Sequence, residues 1–75
     1  MEKIEIHTET IQLDQCLKLA GVVATGGAVR PMIEDGIIFV NGVLETARRK
    51  KLSPGDVVTL RKEDGDMEYQ IVSGA

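Results

Sequence analysis

The chain has 75 residues, enough for one domain with a small core and no second unit. Hydrophobic residues make up 43% and charged residues 28%, which excludes a disordered tail, and Phe39 and Tyr69 are the only aromatics, which argues against recognition built on stacking platforms. The net charge of -3 conceals a segregation: residues 10–62 carry eight cations against five anions, while residues 1–9 and 63–75 have net charges of -2 and -4, so a basic middle separates acidic ends.

Residues 2–7 alternate polar and apolar, which predicts a half-buried strand with Ile4 and Ile6 inward. Thr8 to Thr10 break the pattern, and Thr10 or Gln12 is placed to cap a helix. Leu13, Cys16, Leu17 and Ala20 then follow the spacing of one helical face. Asp14 falls in the first turn, where a carboxylate suits the positive end of the helix dipole, and Gly21 ends the helix or begins a turn. A second helix is expected over about residues 28–35, with Val29, Met32 and Ile33 on one face and Gly36 as its stop. Pro31 conflicts with a helix interior, where it would cost about 3 kcal/mol. The second helix is therefore expected to start late, near Gly27, and to be short or irregular.

Strands follow. Residues 37–40 form a short β run, Asn41-Gly42 is a two-residue hairpin signal, and residues 43–45 return. Residues 47–51 read as a charged loop. Ser53-Pro54-Gly55-Asp56 fits a turn with proline and glycine at its centre, residues 57–60 a strand, and Asp64-Gly65 a turn into a last strand over residues 67–72. One strand, two short helices and four short strands make an α+β domain, with no repeat or linker.

The densest chemical signal is Arg48-Arg49-Lys50-Lys51. Four adjacent cations repel one another, so the run is either a solvated loop or a seat for a polyanion. Its freedom from acids and its place between strands favour the polyanion. Thr25-Gly26-Gly27 precedes the second helix. Spacing alone makes it a tight interhelical turn, since it is neither a Walker loop nor a dinucleotide fingerprint, although Arg30 just inside the helix adds a cation.

Catalysis finds little support. His7 lies on the polar phase of the first strand and Cys16 on the apolar helical face, and neither has a nucleophile–base or metal-ligand set around it. Glu63-Asp64-Gly65-Asp66 lacks the length of a calcium loop and reads as a hairpin turn. No enzyme, metal or cofactor is expected. One cysteine, an acidic N-terminus unlike a signal peptide and the lack of a long apolar run point to a reducing cytoplasm and no membrane partner.

Taken in order, Leu13-Asp14-x-x-Leu17, Gly21, Thr25-Gly26-Gly27-x-x-Arg30, Ile33, Gly36, Val40-Asn41-Gly42 and Pro54-Gly55-Asp56-x-Val58 resemble the S4 RNA-binding domain, over about residues 11–61. The Thr-Gly-Gly step, the basic loop and the short length are most similar to small stand-alone bacterial S4 proteins of the YaaA/YbcJ type. The resemblance implies an S4-like fold (the αL motif), two short helices packed on a small, mostly antiparallel sheet of four to five strands. It makes residues 1–75 one domain, with flanking strands on either side of the motif. It implies binding of structured RNA, with ribosomal RNA or a ribosome-assembly intermediate as target and ribosomal or RNA-processing proteins as further partners. Carried over by position, the RNA-facing residues are Gln12, Thr25, Gly26, Gly27, Arg30, Asn41, Arg48, Arg49, Lys50 and Lys51, with Lys18 flanking them.

Three departures stand out. Gln12 replaces an arginine common before the Leu-Asp pair, Thr25-Gly26 replaces a Ser-Arg, and Pro31 is unusual in the second helix. The first two remove phosphate-directed cations, which the basic loop can offset. The scarcity of aromatics fits reading of a folded backbone rather than of splayed bases, with Phe39 expected in the core and Tyr69 on the last strand away from the basic loop. The competing reading is a ubiquitin-like carrier or protein-interaction domain without nucleic-acid binding, since Val-Asn-Gly and Pro-Gly-Asp turns also occur there. Such carriers end in Gly-Gly, whereas this sequence ends Ser73-Gly74-Ala75.

Overall fold

Strand β1 (Glu2–Ile6) buries Ile4 and Ile6 and exposes the residues between them, as its alternation demands. Its partner is the last strand, β7 (Met67–Ser73), which runs parallel to it with Ile4 opposite Ile71. A parallel pair needs a crossover, and the rest of the domain supplies it. The computed structural model describes residues 1–74; Ala75, the end of the tail weighed above, lies outside them.

Helix α1 (Leu13–Leu19) buries Leu13, Cys16 and Leu17 completely. It closes on Gly21, at φ +77°, with Val22 N–H donating to the Leu17 carbonyl and Gly21 N–H to that of Lys18. Glycine adopts this left-handed closure without the cost a Cβ would bring. Helix α2 (Val29–Glu34) has six residues and is entered through a 3₁₀ turn over Gly26–Ala28. Pro31 is its third residue, inside the first turn, where the N–H that proline lacks has no helical acceptor. The expected short, irregular second helix is what forms.

Strands β3 (Ile38–Val40) and β4 (Val43–Leu44) form the hairpin through Asn41 and Gly42, both at positive φ as a type I′ turn requires. Strand β6 (Val57–Leu60) pairs with both β3 and β7, giving a five-stranded sheet in the order β1-β7-β6-β3-β4, antiparallel except at β1. Burial alternates along β3 and β6, so one face of the sheet is covered, and Leu13, Leu17 and Val29 of the helices join its inward residues in one core.

Two expectations need correction. Lys51 is not in the loop: Lys51–Leu52 is a strand, β5, paired antiparallel with Ile11–Gln12, β2, so five strands rather than four follow the helices. Phe39 is not a core residue. It lies between the inward-facing Ile38 and Val40, so it points to the open face, where the Arg61 guanidinium lies 4.4 Å from its ring centroid. Tyr69 is the buried aromatic, at 1% exposure.

Candidate nucleic-acid interface

The first turn of α1 needs acceptors for its free N–H groups. Gln12 stands at the capping position with extended backbone, yet its side chain makes no capping bond. The basic loop does this work with its main chain. Leu13 N–H donates to the Lys50 carbonyl at 2.8 Å and Asp14 N–H to the Arg48 carbonyl at 3.1 Å. The side-chain cap expected from Thr10 or Gln12 is thus replaced by a tertiary one.

The same bonds explain how four adjacent cations are held in place. Glu45 Oε2 accepts from Thr46 N–H and Ala47 N–H where the loop starts, Lys50 N–H closes a turn on the Ala47 carbonyl, and Lys51 is opposite Gln12 in the β2–β5 ribbon. Arg49, Lys50 and Lys51 are exposed, and Arg48 is partly covered.

Arg48 has a partner. Its Nε lies 4.0 Å from Oδ2 of Asp14, an ion-pair distance rather than a hydrogen bond. Asp14 is only 5% exposed, and its Oδ1 accepts from Gln15 N–H at 2.8 Å. Gly26 packs on the same carboxylate: a Cβ there would stand 3.3 Å from Oδ2. Neither Gly26 nor Gly27 has positive φ, so at Gly26 the missing side chain serves close approach rather than backbone freedom. Arg30, exposed on α2, shares a cleft with Arg48, Thr46, Ile33 and Glu34.

The fold therefore brings Gln12, Gly26, Arg30, Arg48 and Lys51 around the start of α1, with Thr25 and Gly27 beside Gly26. Two sequence-predicted residues, Lys18 and Asn41, sit apart from this cluster. Lys18, in the last turn of α1, borders a separate groove with Ile11, Gln15 and Leu19. Asn41 has its side chain committed to the fold: Nδ2 donates to Asp56 Oδ1 at 3.0 Å and Oδ1 accepts from Val57 N–H at 2.9 Å, tying the hairpin to the Pro54-Gly55 turn. Asp56 Oδ2 also accepts from Ser53 N–H at 2.9 Å. The Ser53 amide, then the Asn41 side chain, with Lys50 adding its charge, hold the Asp56 carboxyl below its ordinary pKa.

Sequence reading missed the organising acids. The sequence marks Asp14 only as a dipole partner. On a helical wheel it flanks the apolar stripe next to Leu17, which is the signal that would have flagged its burial. Burial pushes the Cys16 thiol up to about 11, which keeps it protonated, and His7 is exposed, 3.8 Å from Glu5. Among the described residues no cluster of three metal-ligating side chains forms, and no helix is long and apolar enough to cross a membrane.

Comparison with known proteins bears on the family of the chain. The family model described as "S4 domain" matches residues 4–72, taking in the last three residues of β1 and nearly all of β7 as well as the motif between them. A protein of Bacillus subtilis (strain 168) named "Probable ribosome maturation protein RlbA" is 37% identical over 70 residues, covering 93% of this chain and 94% of that protein.

Proposed function

The chain belongs to the S4 domain family, and on that premise we propose that it is a non-catalytic module that binds structured RNA, its target being ribosomal RNA or a ribosome-assembly intermediate in the cytoplasm. The observation that carries this reading is the basic loop folded back on α1: its carbonyls cap the helix while the side chains of Arg49, Lys50 and Lys51 stay exposed where they can meet phosphates. Arg30, Thr25, Gly26 and Gly27 extend the surface across the 3₁₀ turn, Gln12 and Lys51 extend it along the ribbon, and Lys18 flanks it. Asn41 serves it by fixing the hairpin from which the loop departs.

Cations and amides without an aromatic platform suit reading of backbone and shape in folded RNA. The name of the Bacillus relative supports a ribosomal target, with ribosomal or RNA-processing proteins as further partners. A buried, protonated cysteine and a solvent-exposed histidine support the non-catalytic reading.

The test is affinity for a folded ribosomal RNA fragment across a salt series, for wild type and for Arg48/Arg49/Lys50/Lys51→Ala. Four lost phosphate contacts should shrink the slope of log affinity against log salt by about 3 to 4. Absence of wild-type binding at low salt would overturn the reading.

A further inference from the structure

Asp14 is a buried acid under a surface of cations. Its carboxylate lies close to where the proposed reading puts phosphates, and there bare electrostatics makes it a liability. One oxygen serves the start of α1: Oδ1 accepts from Gln15 N–H at 2.8 Å, beside the Leu13 and Asp14 N–H groups that the Lys50 and Arg48 carbonyls meet, which leaves Oδ2 with no part in the helix. Oδ2 faces Nε of Arg48, and Arg48 is the one loop cation that is both partly covered and ion-paired among the described residues. Gly26 closes over the same oxygen with no room for a Cβ at ordinary contact distance. Arg48 in turn forms one wall of the cleft to which Arg30 contributes.

We infer that Asp14 is a positioning residue: its carboxylate holds the Arg48 guanidinium toward the cleft it shares with Arg30, so that two arginines converge on one phosphate of the RNA backbone. The inference rests on the RNA-binding reading above. A tethered guanidinium loses less freedom on binding than a free one, and this gain exceeds the repulsion that the buried charge exerts. Glu34, exposed on the same cleft and paired with no cation among the described residues, exerts the repulsion without the tether, which makes it the natural control.

The two effects have opposite signs. Affinity for a folded ribosomal RNA fragment is measured at one low salt concentration for wild type, Asp14→Asn, Arg48→Gln, the double variant and Glu34→Gln. Positioning requires that Asp14→Asn weaken binding about 3- to 10-fold, within the range over which touching residues couple, that this loss vanish in the Arg48→Gln background, and that Glu34→Gln bind at least as tightly as wild type. Tighter binding by Asp14→Asn would overturn the inference, and so would an equal loss in both backgrounds, which would mark a merely structural role. If Asp14→Asn fails to fold, Arg48→Lys carries the test, since it keeps the charge and removes Nε: weaker binding at an unchanged salt slope supports positioning, and wild-type affinity overturns it. If wild type binds no RNA, the functional reading falls by itself, and the tether is still read in the free protein from ¹⁵N relaxation of Arg48 Nε–H. That group should be ordered in wild type and mobile in Asp14→Asn; equal mobility in the two overturns it.

Discussion

Asn41 combines a backbone demand with a side-chain one. At φ 52° it occupies the left-handed region, which asparagine tolerates better than most residues, and its amide bridges Asp56 and Val57. Asp56 answers by gathering Asn41 and Ser53 on one carboxylate, so the hairpin and the turn before β6 are held by a single ionised group. The folded pKa of that group lies below its ordinary value, so folding favours the ionised form. The stabilisation is complete above the usual carboxylate value of about 3.9 and fades as pH falls through the lower folded value. In urea titrations the gap in midpoint between wild type and Asp56→Asn should therefore stay constant from about pH 7 to about pH 5 and narrow in stronger acid. A gap that widens in acid would mean that the neutral carboxyl, not the carboxylate, holds the turn.

At the scale of elements, α2 tests how far local propensity governs this fold. Pro31 would destabilise a helix interior by about 3 kcal/mol, yet at the third helical position, inside the first turn, the absent N–H leaves no helical acceptor unpaired. Pro31→Ala should accordingly shift stability by less than about 1 kcal/mol in denaturant unfolding; a gain near 3 kcal/mol would show that the proline strains the helix. The elements legible in the sequence were those with a period long enough to count or a turn residue with one geometry: β1, α1, the Asn41-Gly42 hairpin, the Pro54-Gly55 turn, β6 and β7. The β2–β5 ribbon was not legible, because two-residue strands have no period and are defined by tertiary pairing alone. Phe39 and Tyr69 were indistinguishable by hydrophobicity, since only strand register decides which of them faces the core. The cations of the candidate site could be read as a run of charge. The acid beneath them and the carbonyls that cap α1 could not, because both depend on contacts more than 30 residues apart in the chain.

Over the whole molecule, sheet order turns the charge segregation of the chain into a spatial one. The edge strand β4 leads into the basic loop, while the opposite edge is β1, with Glu2 and Glu5, beside β7, with Glu68 and the acidic turn before it. Residues 63–68 are all exposed. Their effect on RNA binding cannot be tested by deleting the C-terminal segment, because β7 lies inside the sheet between β1 and β6, and its removal would take Tyr69 and Ile71 from the core. Neutralising the acids in place avoids this. Strand β7 lies three strand spacings from β4, about 14 Å at about 4.8 Å each, which exceeds the screening length of about 10 Å at 0.1 M salt but not the length of about 30 Å at 0.01 M. The quadruple variant Glu63→Gln/Asp64→Asn/Asp66→Asn/Glu68→Gln should therefore bind nonspecific RNA more tightly than wild type at about 0.01 M salt and equally well at about 0.15 M. A gain that persists at the higher salt would mean that RNA reaches the acidic edge and that the binding surface wraps further round the sheet than the basic loop.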